Sequence, residues 1–78
     1  MNLTEGMSQL KNILKDLRKE YGYSQDGLAE KLGVSRQTVI SIEKGKYNPS
    51  LPLALLISQI FNTTVERIFF LEEDDLKK

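Results

Sequence analysis

The side chains best suited to chemistry lie in the segment SRQTVISIEKGK, residues 35–46. Arginine can donate two hydrogen bonds to O6 and N7 of guanine, and glutamine can pair with N6 and N7 of adenine. Arg36 and Gln37 stand in what reads as the first turn of a helix, where the helix dipole normally favours acidic residues. A cation and an amide at this place indicate contact with nucleobases. The alternative is that both side chains are simply solvated.

A helix from Ser35 to Lys44 would turn Val39, Ile42 and Glu43 inward. Its outward row then joins one guanidinium, one amide, one aliphatic group, one hydroxyl and one ammonium, and consists of Arg36, Gln37, Ile40, Ser41 and Lys44. An α-helix fits the DNA major groove and reads bases mainly through its N-terminal residues. The row therefore predicts a DNA-reading helix.

The preceding helix must position this one. Ser24 can cap a short helix that runs to Leu32, and only Gly33, Val34 and Ser35 separate the two helices. Such a short, glycine-containing link makes two helices cross steeply, which is typical of a helix-turn-helix unit. Gly27, in the first turn of the earlier helix, should cost about 1 kcal/mol relative to alanine.

Apolar spacing and capping residues predict three further helices around this pair. The five predicted helices cover residues 8–21 (capped by Ser8 and ended by Gly22), 24–32, 35–44, 50–61 (capped by Ser50) and a fifth from Thr64 as cap. Residues 68–71, IFFL, could finish the fifth helix or form a short strand. We expect an all-α domain over residues 8–71, with a flexible segment at 1–7 and an acidic tail at 72–78.

The segment SQDGLAEKLGVSRQTVISIEKGKYNPS resembles the helix-turn-helix of the Cro/CI-type (XRE-like) transcription regulators of bacteria and phages. The most specific motifs are SQ-x-x-LA, GVS and IE-x-GK-x-x-P, and the resemblance extends from about residue 8 to residue 71. It implies a five-helix lambda-repressor-like fold, a DNA-reading second and third helix, and usually a dimer.

The resemblance also implies roles for individual residues. The residues at base-facing positions are Arg36, Gln37 and Ser41, and Gln25 is expected to contact the DNA backbone or a base from the start of the second helix. The residues at phosphate-facing positions are Thr38, Lys44, Lys46, Tyr47 and Asn48. Arg18 is expected to pair with Glu43 at the margin of the core. Two residues depart from the family pattern. Ile40 occupies a place that is commonly polar in the family, and it could contact a thymine methyl, pack on a neighbour or be exposed. Gly27 replaces a usual acid.

The segment LPLALLISQIF, residues 51–61, is more apolar than one inward stripe requires, since eight of its eleven residues are hydrophobic. Such a helix is buried on two sides. A tightly wrapped core is one explanation. We favour a self-complementary dimer patch, because two-fold symmetry lets one hydrophobic surface pack against the same surface of a second copy. The expected interface residues are Leu53, Leu56, Ile60, Phe69, Phe70 and Leu71.

Composition limits the possible functions. The 78 residues carry no net charge, yet residues 31–47 hold four cationic side chains and one carboxylate, a local +3 that suits a polyanion. The chain contains neither cysteine nor histidine, which excludes Cys/His zinc sites and fits a reducing cytoplasm. We expect no catalysis, no cofactor, no metal and no membrane span. The acids of EEDD, residues 72–75, are adjacent on a free end and lack the fixed geometry of a metal site.

These features together predict a sequence-specific regulator of transcription, a repressor that binds double-stranded DNA with a palindromic operator as a homodimer. One alternative keeps the fold but makes the chain an antitoxin, which neutralises a protein partner and binds its own promoter. Another is a helical interaction module that does not use DNA.

Overall fold

The computed structural model describes residues 10–71, and within them it contains five helices and two short strands. In chain order these are β1 (Lys11–Asn12), α1 (Leu14–Glu20), α2 (Gln25–Leu32), α3 (Arg36–Glu43), α4 (Leu51–Ile60), α5 (Val65–Ile68) and β2 (Phe69–Phe70). The predicted five-helix fold is confirmed. The predicted domain limits at residues 8 and 72 lie outside the described residues.

The turn between α2 and α3 has the predicted capping contacts. At the start of α2, Ser24 Oγ accepts a hydrogen bond from the Gly27 amide at 2.9 Å, and Ser35 Oγ caps α3 by accepting from the Thr38 amide at 3.1 Å. Gly33 ends α2 in the left-handed conformation, with φ at 73°, a value that glycine adopts without steric cost. The carbonyl of buried Ala29 accepts a hydrogen bond from the Val34 amide at 3.0 Å. These contacts fix the corner between the two helices.

The first helix begins later than predicted. Ser8 lies outside the described residues, and Lys11–Asn12 form a strand that pairs antiparallel with Phe69–Phe70, so the prediction of a helix over 8–21 is wrong at its start. Asn12 provides the physical reason. Its Oδ1 accepts from the Leu14 amide at 3.0 Å, and its Nδ2 donates to the Ile42 carbonyl at 2.8 Å. The same pairing settles residues 69–70 as strand.

The core lies between all five helices and β2. Its buried hydrophobic side chains are Leu14, Leu28, Ala29, Leu32, Val39, Ile42, Ala54, Ile57, Phe61, Ile68 and Phe69. Phe61 lies edge-to-face against Tyr21 and Tyr23, with ring centroids 5.1 and 6.1 Å apart. The Tyr21 hydroxyl also donates to the Phe61 carbonyl at 2.9 Å, and Tyr21 is half-exposed.

Helix α4 buries one face and exposes another. Ser50 caps it as predicted, accepting from the Leu53 amide at 3.3 Å, and the helix ends at Ile60 with Phe61 as its C-cap. Its outer face carries the large exposed hydrophobic residues Leu51, Leu55 and Leu56. Thr64 stands at the start of α5 but makes no capping hydrogen bond through its side chain.

Candidate nucleic-acid interface

The outward row of α3 lies at the surface. Val39 and Ile42 have no exposed area, whereas Arg36 and Gln37 are exposed and Ile40 and Ser41 are partly exposed. The first helical turn of α3 follows directly after the three-residue link of residues 33–35, and its capping residue Ser35 is also exposed. Arg36, Gln37, Ile40 and Ser41 therefore share one accessible face of α3.

A buried ion pair lies beneath this face. Arg18 Nε donates to Glu43 Oε2 at 2.5 Å and Nη2 to Glu43 Oε1 at 3.3 Å, while Nη1 donates to the Tyr23 carbonyl at 3.0 Å. The two side chains are only 9% and 4% exposed. A paired and hydrogen-bonded guanidinium–carboxylate contact of this kind is a strong interaction. It ties α1 to the end of α3.

Gln25 connects this ion pair to the surface. Its Nε2 donates to Glu43 Oε1 at 3.3 Å, and its Oε1 accepts from Arg36 Nη2 at 3.4 Å. Because an ionised carboxylate only accepts hydrogen bonds, Glu43 fixes the amide with its nitrogen inward and its oxygen toward Arg36. The sequence predicted Gln25 at the DNA but not this link, which joins residues of α2 and α3 that are 11 and 18 positions apart in the chain.

Asp26 is a second neighbour of Arg36 that sequence reasoning missed. Arg36 Nε lies 3.8 Å from Asp26 Oδ1, and the two side chains are 60% and 78% exposed. The signal available in the sequence was an acid in the first turn of α2, next to the corner that brings α3 close. On the other side of the row, Gln37 Nε2 donates to Ser41 Oγ at 3.4 Å.

The predicted phosphate-facing residues lie at both ends of α3, with Thr38 in its first turn and Lys44, Lys46, Tyr47 and Asn48 at and after its C-terminal end. A shallow open cavity at the surface is lined by Ser35, Gln37, Thr38, Ser41 and Tyr47. Lys44 and Lys46, at and after the end of α3, are exposed, and the Lys46 amide donates to the Ser41 carbonyl at 2.9 Å. Hydroxyl, amide and ammonium groups are the usual donors to phosphate oxygens.

Asn48 has a structural partner that was not expected from the sequence. Its Oδ1 accepts from the Leu10 amide at 3.0 Å and so holds the segment before β1 against the loop after α3. The loop that carries the lysines is therefore tied to the start of the described chain.

The predicted dimer-interface residues are not all at the surface. Leu56, Phe70 and Leu71 are exposed, but Leu53 and Ile60 are half-buried against the core and Phe69 is only 6% exposed. Phe69 cannot offer its side chain to a partner, because residue 69 of the strand faces the core while residue 70 faces out. Leu51 and Leu55, which were not predicted, are more exposed than any of these residues, at 67% and 48%.

Two features of other protein classes are absent from the described part of the chain. Residues 10–71 contain no cluster of three or more side chains suited to holding a metal ion. Within the same residues, no helix has the length and hydropathy needed to cross a membrane.

Comparison with known proteins agrees with this geometry. The model of the helix-turn-helix family matches residues 14–68, which include all five helices. The chain belongs to this family. Family members of the XRE-like type are DNA-binding regulators of transcription, so the resemblance seen in the sequence is confirmed.

Helix-turn-helix relatives of 66 residues occur in both bacteria and archaea. The uncharacterized HTH-type transcriptional regulator YgzD of Bacillus subtilis is 53% identical over 66 residues, which are 85% of this chain and all of that protein. A Methanocaldococcus jannaschii protein described in the same terms is also 53% identical over 66 residues, again 85% of this chain and its own whole length.

A solved structure of similar fold is the restriction-modification controller protein C.AhdI from Aeromonas hydrophila. It is 31% identical, covers 69% of this chain and 82% of its own, and superposes with a TM-score of 0.62. The likeness extends to much of this chain's helical domain.

Proposed function

We propose that this helix-turn-helix protein binds a specific palindromic DNA sequence as a homodimer and represses transcription from it. The observation that carries the proposal is the exposed row of hydrogen-bonding side chains on α3, directly after the three-residue turn. A helix presented in this way fits the major groove with its N-terminal residues at the base edges. Such a regulator would act in the cytoplasm, where its DNA is.

The base contacts are assigned to the row on α3. Arg36 has the donors for guanine and Gln37 has the donor and acceptor for adenine, with Ser41 and the aliphatic Ile40 further along the same face. Gln25 has both ends of its amide bonded within the protein, at 3.3 and 3.4 Å. We therefore assign Gln25 the role of orienting Arg36, and we place it at the edge of the DNA contact surface.

The phosphate contacts are assigned to Thr38 in the first turn of α3 and to Lys44, Lys46, Tyr47 and Asn48 at and after its C-terminal end. Contacts of this kind fix the register of the helix on the duplex without reading its sequence. They also provide the salt-dependent part of the affinity, because each neutralised phosphate releases counterions.

The homodimer is supported by the outer face of α4 and the exposed end of β2. The exposed hydrophobic residues on these two elements are Leu51, Leu55, Leu56, Phe70 and Leu71. A two-fold axis would let this surface cover its own copy. Two recognition helices about 34 Å apart would then meet successive major grooves on one side of the duplex.

The test is selection of bound sites from a pool of random duplexes, combined with sedimentation of the free protein. We expect an enriched motif with two-fold symmetry and a dimer in solution. Binding without any enriched sequence would contradict the proposal. A second polypeptide that co-purifies with the chain from its native cells and alters its DNA binding would instead favour the antitoxin.

A further inference from the structure

The side chain of Arg36 already has two acceptors within the protein, both from the first turn of α2. Asp26 Oδ1 lies 3.8 Å from Nε, and Gln25 Oε1 lies 3.4 Å from Nη2. Nε and Nη2 form one edge of the guanidinium fork, since the five N–H groups lie in a fixed plane. The contacts therefore act on that edge and leave the Nη1–Nη2 end as the pair of donors for a guanine.

The two acceptors differ in what they contribute. Gln25 is oriented by Glu43 and offers a neutral oxygen, whereas Asp26 brings a negative charge beside the Arg36 cation. A carboxylate at this distance weakens the attraction of the guanidinium for any phosphate nearby. Phosphate contacts supply most of the affinity for non-specific DNA. A guanine contact depends on direction as well as on charge, so it is affected less.

We propose that Asp26 is a specificity-determining residue, which holds one edge of the Arg36 guanidinium and lowers its attraction for phosphates so that guanine is favoured. This inference rests on the proposed base-reading role of Arg36. Asp26 acts through Arg36 and needs no contact with DNA of its own. Because both side chains are largely exposed, the effect is screened by salt and should be largest at low ionic strength.

The experiment compares wild type with Asp26→Asn on two duplexes of about 30 base pairs, roughly three helical turns. One is the sequence that the wild-type protein enriches from a random pool, and the other is a scrambled sequence of the same composition. We expect Asp26→Asn to tighten binding to the scrambled duplex more than to the enriched one. The ratio of the two affinities should fall about two- to five-fold, the size expected for loss of one exposed ion pair.

Two controls separate this effect from a general loss of negative charge. Glu30→Gln removes one exposed charge from the same helix and should change both affinities by the same factor. In the Arg36→Ala background, Asp26→Asn should no longer change the ratio. If Asp26→Asn shifts both duplexes equally, as Glu30→Gln does, or if its effect persists without Arg36, the inference is wrong.

The same variants distinguish failure of the inference from failure of the proposed function. If Arg36→Ala leaves the enriched motif unchanged, Arg36 does not read a base, and both proposals about it are overturned. If Arg36→Ala alters the motif while Asp26→Asn leaves the affinity ratio unchanged, only the role of Asp26 is overturned.

Discussion

Glu43 joins the interior of the protein to the proposed DNA surface through a single carboxylate. Its two oxygens accept from Arg18 on the inner side and from Gln25 on the outer side. The sequence resemblance predicted the Arg18 partner. It could not predict Gln25, because that contact depends on the angle between α2 and α3, which only the packed turn fixes.

Removing the charge of Glu43 should therefore be costly. Glu43→Gln leaves the Arg18 guanidinium, 9% exposed, without its counter-charge. Breaking one side of a buried ion pair typically destabilises a protein by about 3–5 kcal/mol. Urea unfolding followed by circular dichroism measures this loss. Glu66→Gln, at an exposed position on α5, is the matched control and should stay within about 0.5 kcal/mol of wild type.

Arg36→Ala should weaken binding to the enriched duplex by about 1–3 kcal/mol and relax the preference at one base pair of each half-site. The reason is the loss of two directional hydrogen bonds to a guanine. Binding titrations on duplexes that differ at each position measure both effects. An unchanged sequence preference would exclude Arg36 from base reading.

Lys46→Ala should behave differently, because the exposed ammonium of Lys46, which follows α3, is assigned to a phosphate rather than to a base. We expect weaker binding to all sequences alike. The slope of log affinity against log salt should become shallower by about one unit. Titrations at several salt concentrations test this, with Lys19→Ala on α1 as a control that should keep the wild-type slope.

At the scale of helices and strands, local signals were sufficient for most boundaries. Ser24, Ser35 and Ser50 cap their helices as the sequence predicts, because a capping side chain bonds to an amide two or three residues away. The start of α1 was wrong for the opposite reason. Lys11–Asn12 pair with residues nearly sixty positions later, and no local pattern reports such a partner.

The corner between α2 and α3 gives a prediction at this scale. Gly33→Ala should lower the free energy of unfolding by about 1–2 kcal/mol, since a Cβ is strained at the left-handed φ of 73°. Nothing lies within 4 Å of the new Cβ, so the cost comes from the backbone alone. Gly33→Asn should cost less, because asparagine tolerates this conformation. Thermal unfolding of both variants measures which of them loses more stability.

At the scale of the whole molecule, the outer face of α4 is a hydrophobic surface that the single chain leaves exposed. The sequence predicted that α4 has more hydrophobic surface than one core needs, and Leu51, Leu55 and Leu56 remain exposed in the single chain. It could not predict that Phe69 turns inward, because the facing of a strand depends on its register with β1.

Leu56→Glu should give monomers in sedimentation, because a charge placed within the proposed self-complementary apolar surface would be buried against its own copy. Lys19→Gln, which makes the same change in net charge on exposed α1, should keep the dimer. An unaltered dimer in the Leu56→Glu variant would remove that residue from the interface.

The pairing of β1 with β2 also bears on the order in which the domain folds. It closes a loop that contains all five helices, so its entropic cost is met only after the helices have packed. The corner between α2 and α3 involves near neighbours in the chain and can form early. We therefore expect the amides of the two-stranded sheet to exchange with deuterium sooner than those of α3, because the pairing of β1 with β2 can open while the helices stay packed.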